Sequence, residues 1–176
     1  PIIFYRAIEQ SLGSPDNAML GIDFKANIAR RFQLYGQFVL DEFNFGQIVK
    51  RNGWWANKFA IQTGLKYIDA FGVPNLDLQG EFNYARPFTY AHNTDGTSYT
   101  HYNQPLAHPL GANFWEMIAI ARYQLLPELN AQLTFIYYDK GLDSTGQNWG
   151  GNIFTPNVDD SKNLAVQQEF NNTIGQ

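Results

Sequence analysis

The stretch "LDLQGEFNY", residues 76–84, decides the fold class because its apolar and polar side chains alternate along its whole length. The apolar set and the polar set are, in order, Leu76, Leu78, Phe82, Tyr84 and Asp77, Gln79, Glu81, Asn83. A period of two places the two sets on opposite faces of a β-strand. One strand of this chain is therefore predicted to separate an apolar environment from a polar one.

Five more stretches show the same period, although residues 114–124 are ambiguous because Ile118 and Ile120 share a parity with Glu116 and Arg122. Each predicted strand has about ten residues, near the ~9–11 that a tilted membrane strand needs. The six predicted strands are 18–28, 32–43, 57–68, 76–85, 114–124 and 129–138.

The connections between these strands alternate strictly between short and long. Short ones lie around residues 29–31, 69–75 and 125–128, whereas long ones are "NFGQIVKRNG", the segment from about 86 to 113, and everything after Asp139. Tight turns at one end and long loops at the other are typical of outer-membrane barrels.

Aromatic residues gather near the predicted strand ends, as in the interfacial girdles of such barrels. Those near the long loops are Phe43, Phe45, Trp54, Trp55, Tyr84, Phe88, Trp115, Tyr137 and Tyr138. Those near the short turns are Tyr67, Phe71 and Tyr123.

The composition excludes several classes of protein. Lys and Arg number 12 against 16 Asp and Glu, a net charge of −4, so the chain lacks the basic surface that nucleic-acid binding needs. With no cysteine there is neither a disulfide scaffold nor a thiolate zinc site. No apolar run reaches the ~18 residues of a membrane helix, but barrel strands average to a modest hydropathy and are not excluded.

We therefore predict an all-β fold, an antiparallel transmembrane β-barrel of the outer-membrane type, with residues 1–176 as a single domain. Six strands cannot close a membrane barrel, which needs about eight, so we expect the chain to cover only part of one. The structure of residues 156–176 stays open. The alternative is a soluble β-sandwich, which the strand length disfavours because sandwich strands are typically about five or six residues long.

Three arrangements suggest chemistry, and each has a plainer explanation. His92, His101 and His108, with Asp95, match no compact zinc spacing, and residues 143–152 lack the acidic spacing of a calcium loop. Glu81 and Glu116 resemble a carboxylate pair only by residue type. We predict no metal, no cofactor and no catalytic residue, and hence a protein that is not an enzyme.

The loop residues suit carbohydrate, because aromatic rings offer flat apolar faces and amides offer paired donors and acceptors. An interfacial belt with ordinary loop packing explains the same composition. The candidate ligand-binding residues are Arg86, His92, Tyr99, His101, Tyr102, Asn103 and His108. The polar strand positions predict lumen charges at Asp23, Lys25, Lys66, Asp77, Glu81 and Arg122.

The segments "RPFTYAH" (86–92) and "YTHYNQPLAHPLGANFWE" (99–116), with "DEF", "GWWANKFAIQTGLKY" and "PNLDLQGEFNYA" before them, resemble the Wzi-type capsule assembly family of outer-membrane barrels. The likeness is greatest to its Bacteroidetes branch, which includes RemB-like gliding-motility proteins. It runs from about Ile2 to Phe154, is most specific in "HYNQPLAHPLGAN" (101–113), and fades after Asn157. The resemblance implies a non-catalytic surface barrel of more than six strands associated with capsular or exopolysaccharide.

The expected location is the outer membrane of a Gram-negative bacterium. The expected role is to organise or anchor surface polysaccharide, or to serve a gliding or secretion complex. The expected partners are the lipid bilayer, surface polysaccharide and other outer-membrane proteins, with no nucleic acid. Two alternatives remain open: a porin-like channel whose ion or solute selectivity is set by the lumen charges, and a soluble β-sandwich that binds glycans.

Overall fold

The computed structural model describes residues 19–42, 58–92, 98–143 and 148–155. Predictions for the tail 156–176, Asp95 and the connection at 44–53 lie outside these residues. The described strands are β1 Leu20–Ile28, β2 Phe32–Glu42, β3 Lys58–Tyr67, β4 Leu76–Ala85, β5 Thr100–His101, β6 Gln104–Pro105, β7 Phe114–Leu126 and β8 Leu129–Lys140.

The six long strands form one antiparallel sheet in the order β1-β2-β3-β4-β7-β8, so the predicted all-β antiparallel fold is confirmed. Their bounds lie close to the predicted ranges; β1, for example, was predicted from 18 and begins at Leu20. On their outer sides β1 and β8 have no strand neighbour within the described residues. The described sheet is therefore open at both edges, and a closed barrel is not seen.

The register resolves the ambiguous strand. Met117 of β7 lies opposite Phe82 of β4, which places it with the apolar residues of the neighbouring strands. Ile118 lies opposite Glu81 and so belongs to the polar side. The sheet thus has an apolar face and a polar face, and β7 contributes Trp115, Met117, Ala119, Ala121 and Tyr123 to the apolar one.

The apolar face is bare. Met117 is 53%, Phe135 63% and Leu133 72% exposed, and the apolar residues of β1 are exposed as well. Its side chains fill gaps left by glycine: the Phe24 ring covers Gly36, where an added Cβ would come within 2.7 Å of that ring. Within the described part of the chain, no second layer packs on this face.

The buried core lies on the polar face, at the end of the sheet from which the long loops leave, which we call the loop end. The described parts of the long loops, residues 86–92, 98–113 and 148–155, fold over that end and bury a cluster of side chains. Its fully buried members are Ala85, Tyr90, Ala91, Ala112, Phe114 and Ile153. The short turns lie at the opposite, turn end, and one of them contains a short 3-10 helix, Ala70–Gly72.

Aromatic rings form two rows on the apolar face. At the turn end Phe32 stacks on Tyr67, with centroids 4.4 Å apart, and Tyr67 contacts Phe71. At the loop end the rings of Phe38, Phe59, Tyr84, Trp115 and Tyr137 follow one another across the sheet.

Two residues predicted for these rows lie elsewhere. Phe88 is buried inside the loop region, where its backbone N–H donates to the carbonyl of Gly150. Tyr138 lies opposite Glu116 and so belongs to the polar face. The predictions for Phe43, Phe45, Trp54 and Trp55 fall outside the described residues.

Both ends of the sheet slope in the same direction. One row of register partners runs through Ile28, Phe32, Tyr67, Leu78, Ala121 and Leu133. β1 ends on this row, whereas β7 continues past Ala121 to Leu126. At the loop end a second row runs through Gly21, Val39, Ala60, Ala85, Phe114 and Lys140, where β8 ends while β2 continues to Glu42. The strands are therefore staggered progressively from β1 to β8.

One element was not predicted. β5 and β6 form a small hairpin inside the segment expected to be an irregular loop, with Tyr102 and Asn103 at its tip. Both tip residues have positive φ, 47° and 58°, as a type I′ turn requires. Asn is common at such positions but Tyr is not, so the sequence carried a weak signal for this turn.

Candidate functional site

The first part of the long loop is fastened to the sheet by buried polar groups. The Tyr90 backbone N–H donates to Asp41 Oδ2 at 2.8 Å, and His92 Nε2 lies 3.2 Å from Asp41 Oδ1. The Lys58 ammonium donates to the Ala91 carbonyl at 2.7 Å. All three polar side chains are buried, so this end of the loop is docked and not free in solvent.

The second anchor is His108. Its Nδ1 accepts the Leu110 backbone N–H at 3.2 Å, so in the neutral ring the proton lies on Nε2. Nε2 then donates to Glu116 Oε2 at 3.1 Å, and the ring stacks on Phe114 at 4.4 Å. Strand β7 thereby holds the returning half of the loop.

The segment 148–155 completes the cover. The Phe88 N–H donates to the Gly150 carbonyl at 3.0 Å, and the Asn113 side-chain amide donates to the Trp149 carbonyl at 3.0 Å. Asp143 accepts backbone N–H groups of Trp149 and Asn152 at 2.7 and 3.2 Å. Because its carboxylate faces N–H donors, Asp143 is used as an anion that orders the turn, not as a cation ligand.

Between the docked loop and the polar face lies a cavity of about 250 Å³. Its floor includes the amide side chains of Gln37, Gln62 and Asn83, and its loop side includes Tyr90, Tyr99 and His108. Rings and amides therefore meet in one place, drawn from β2, β3, β4 and the loop.

A chain of hydrogen bonds runs from this cavity along the polar face. The Asn83 amide nitrogen donates to Glu116 at 2.9 Å and to Glu81 at 3.1 Å. The Tyr35 hydroxyl donates to Glu81 at 2.5 Å and accepts the Gln79 amide at 2.8 Å. Gln79 in turn accepts the Arg122 guanidinium at 3.1 Å. The polar face is thus a connected network that fixes the orientation of its side chains.

The same network argues against a paired-carboxylate hydrolase. Glu81 and Glu116 both bind the one amide nitrogen of Asn83, so this side chain fills the space between their oxygens. A glycosidase needs the scissile bond between its two carboxyl groups. Neither carboxylate lines the cavity.

The predicted ligand-binding residues separate into four groups. His92 and His108 are the anchors described above, and Tyr99 lines the cavity. His101, Tyr102 and Asn103 lie at the hairpin tip, where Tyr102 is 88% exposed and its ring contacts that of His101. Arg86 lies apart from all of these.

The Arg86 guanidinium lies over the Phe59 ring, 5.5 Å from its centroid, at the loop end of the apolar face. Burial lowers the pKa of this guanidinium, with an opposing contribution from Tyr84. Arg86 therefore lies at the edge of the aromatic row on the apolar face, away from His92 and His108.

The predicted lumen charges share the polar face, as their register positions show. Asp23, Lys25 and Lys66 lie opposite Gln37, Tyr35 and Gln33. Asp77 lies opposite Arg122, and Glu81 lies opposite Gly64. The register brings these charges onto one surface but does not gather them into one cluster.

The sequence did not lead to Asp41, Gln37 or Asn83 as site residues. Asp41 is an acidic residue directly before a long connection, a position from which it could have been proposed as an anchor. Gln37 and Asn83 are ordinary polar positions of alternating strands, and only the register brings them under the same loop.

Tyr90 is the most buried ring of the cavity, 4% exposed. Burial raises the pKa of its hydroxyl to about 12, and the Asp41 carboxylate and Tyr99 add to the shift. The phenol is therefore neutral across the physiological range.

No family model, no curated protein and no solved structure matches this chain. In the part of the chain that the structure describes, no three His, Asp or Glu side chains are grouped closely enough to hold a metal ion. Nor do the described residues include a helix long and apolar enough to cross a membrane.

Proposed function

We propose that this chain forms part of an outer-membrane β-barrel that organises or anchors polysaccharide at the surface of a Gram-negative cell. The observation that carries the proposal is the contrast between the two faces of the sheet. One face exposes apolar side chains on five of the six long strands, and the other carries a hydrogen-bonded polar network. Exposed apolar patches of that extent mark interaction surfaces, and lipid is the apolar partner for strands of this length.

The stagger of the strands supports a membrane barrel. β7 runs five residues beyond the row on which β1 ends, from 121 to 126. At ~3.3 Å per residue that is about 17 Å, and the first and last hairpins are four strand spacings apart, about 19 Å at ~4.8 Å each. If the short turns lie at one level, the strands tilt by about 40°, within the ~35–45° of outer-membrane barrels.

The aromatic rows support the same proposal. Along β7, Trp115 of one row and Tyr123 at the other end are eight residues apart, from 115 to 123, with Met117, Ala119 and Ala121 between them on the apolar face. At a tilt of about 40° these eight residues span roughly 20 Å along the barrel axis, close to the ~25 Å height of the apolar band of a barrel.

A soluble sandwich would need a second sheet on the apolar face, and a membrane barrel would need further strands at the edges of β1 and β8. The strand stagger and the two aromatic rows favour the barrel. The docked loop favours a scaffold over the channel alternative, because it lies over the polar face and so narrows the lumen at the loop end.

The glycan role rests on the site and on the resemblance to Wzi-type proteins. Exposed Tyr102 and the ring-and-amide cavity lie at the loop end, the end that faces the outside in barrels with short periplasmic turns. The role is non-catalytic, and the partners are the bilayer, surface polysaccharide and other outer-membrane proteins, including those of a gliding or secretion complex.

Two measurements test the proposal. The full-length protein is fractionated from Gram-negative cells, and we expect it in the outer membrane, resistant to carbonate and partitioned into detergent. Recovery in the aqueous phase would overturn the barrel. Next, Tyr99→Ala with Tyr102→Ala should reduce the polysaccharide retained on the cells without changing the amount of folded protein. Unchanged retention would overturn the glycan role.

A further inference from the structure

We propose that the cavity beneath the docked loop is a subsite for one neutral, hydroxyl-bearing sugar residue, and that it discriminates against acidic sugars. This inference rests on the proposed polysaccharide role and specifies the chemistry of the ligand. It depends on which polar atoms of the cavity are already paired and which are not.

Asn83 is the central residue. It is 4% exposed, and its amide nitrogen donates to two carboxylates, Glu81 and Glu116. Carboxylates only accept, so these bonds fix the amide orientation and leave Oδ1 on the other side. That oxygen has no hydrogen-bond partner among the residues that the structure describes. A buried acceptor without a partner is costly, and a ligand donor would satisfy it.

Gln62 and Gln37 extend the same pattern. Gln62 Nε2 donates to Glu81 at 3.1 Å, so its Oε1 is turned away from that carboxylate and accepts no hydrogen bond from the described residues. The Gln37 side chain makes no hydrogen bond within the described ranges and can serve as donor or acceptor. The floor of the cavity thus offers two oriented acceptors and one adaptable amide.

Acceptors of this kind bind hydroxyl groups, which donate. A uronate or phosphate presents only acceptors in its charged group and needs cations or N–H donors. Among the residues that the structure describes, neither Lys nor Arg lines the cavity, and the carboxylates of Glu81 and Glu116 lie directly behind Asn83. An acidic group placed here would therefore meet like charges, and no Lys or Arg of the described lining would offset them.

The loop supplies the apolar surface that a sugar ring would contact, and it limits the size of the cavity. The rings of Tyr90 and Tyr99 are 6.1 Å apart at their centroids and line the cavity together. Tyr99 is partly exposed and offers a face on which a sugar ring can stack. A volume of about 250 Å³ lies below the ~300–1,000 Å³ of ordinary ligand pockets, so it fits one residue of a longer chain.

The test uses full-length protein in detergent micelles and the surface polysaccharide of the same cells, separated by anion exchange into neutral and acidic fractions. Binding of each fraction to immobilised protein is measured as a Kd. We expect the neutral fraction to bind more tightly, and Gln37→Leu and Tyr99→Ala each to weaken that binding about tenfold. The matched control is Gln33→Leu, on the same strand and the same face but outside the cavity, and it should leave the Kd unchanged.

The outcomes separate this inference from the proposed function. If the acidic fraction binds more tightly and Gln37→Leu weakens it, the chemistry assigned to the subsite is wrong while the polysaccharide role stands. If binding is unaffected by both variants, the subsite lies elsewhere and the inference is overturned. If neither fraction binds, the glycan role and the subsite fall together.

Discussion

His108 Nε2 lies 3.1 Å from Glu116 Oε2 and joins the longest described loop to the strand that follows it. The same carboxylate oxygen accepts the Asn83 amide at 2.9 Å, so the loop, β4 and β7 share one acceptor. Because the Nδ1 atom of the ring is occupied by the Leu110 N–H, the imidazole is held in one tautomer. This pair explains how a long loop stays docked on a polar surface.

The first prediction concerns this anchor. His108→Ala removes a hydrogen-bond donor from the buried Glu116 carboxylate. We expect the free energy of loop docking to fall by about 1–3 kcal/mol, while the strands stay paired. Protease cleavage within residues 98–113 of the intact protein should become about 5- to 150-fold faster, because ~1.4 kcal/mol is a factor of ten in the undocked population. The control is His101→Ala at the exposed hairpin tip, which should not change the rate. An equal rate for both variants would contradict the anchoring role.

The second prediction concerns the packing of Tyr35 over Gly64. A Cβ at Gly64 would collide with the Tyr35 ring, which cannot move without losing its bonds to Glu81 and Gln79. We expect Gly64→Ala to lower the free energy of unfolding by about 1–3 kcal/mol. Gly80→Ala is the control, since nothing lies within 4 Å of its added Cβ. Urea unfolding in detergent or lipid measures both variants, and equal midpoints would show that the contact is unimportant.

The third prediction separates the two faces. Phe135 lies opposite Ala119 on the apolar face, and Thr134 is its neighbour on the polar face. If the apolar face contacts lipid, Phe135→Lys near the middle of the band should cost about 2–4 kcal/mol in a bilayer, and Thr134→Lys far less. Unfolding of both variants from lipid vesicles gives the comparison. Similar costs on the two faces would count against the membrane orientation.

The fourth prediction concerns pH. The pKa of Tyr90 is about 12 in the folded protein against 10 for an ordinary tyrosine, so folding favours the neutral phenol. Below pH 10 both states are protonated and stability is at its full value. Between pH 10 and 12 the phenol ionises in the unfolded chain but stays neutral in the folded protein. The free energy of unfolding therefore falls by roughly 2–3 kcal/mol over this window. Tyr90→Phe should show a smaller decline over this window, measured as the unfolding midpoint at each pH. Identical slopes would refute the assignment.

The strands and the chemical difference between their two faces could be predicted from local pattern, because side chains alternate in every strand regardless of its partners. The strand at 114–124 could not be oriented in this way, since Ile118 and Ile120 obscured the alternation. Only pairing with β4 placed Met117 with the apolar residues and Ile118 opposite Glu81. The hairpin at Thr100–Pro105 could not be predicted, because its turn places a Tyr at positive φ, where tyrosine is uncommon.

The sequence by itself determined which residues are able to meet lipid, water or sugar, because composition and period are local properties. The tertiary structure alone decided that Gln37, Asn83 and Tyr99 line one cavity, and that His92 and His108 are anchors and not exposed ligands. It also placed Arg86 on the opposite side from the histidines that share its segment. The physical reason is that strand register and loop docking are cooperative: each depends on hydrogen bonds between residues far apart in the chain, such as Asp41 with Tyr90, which no local pattern records.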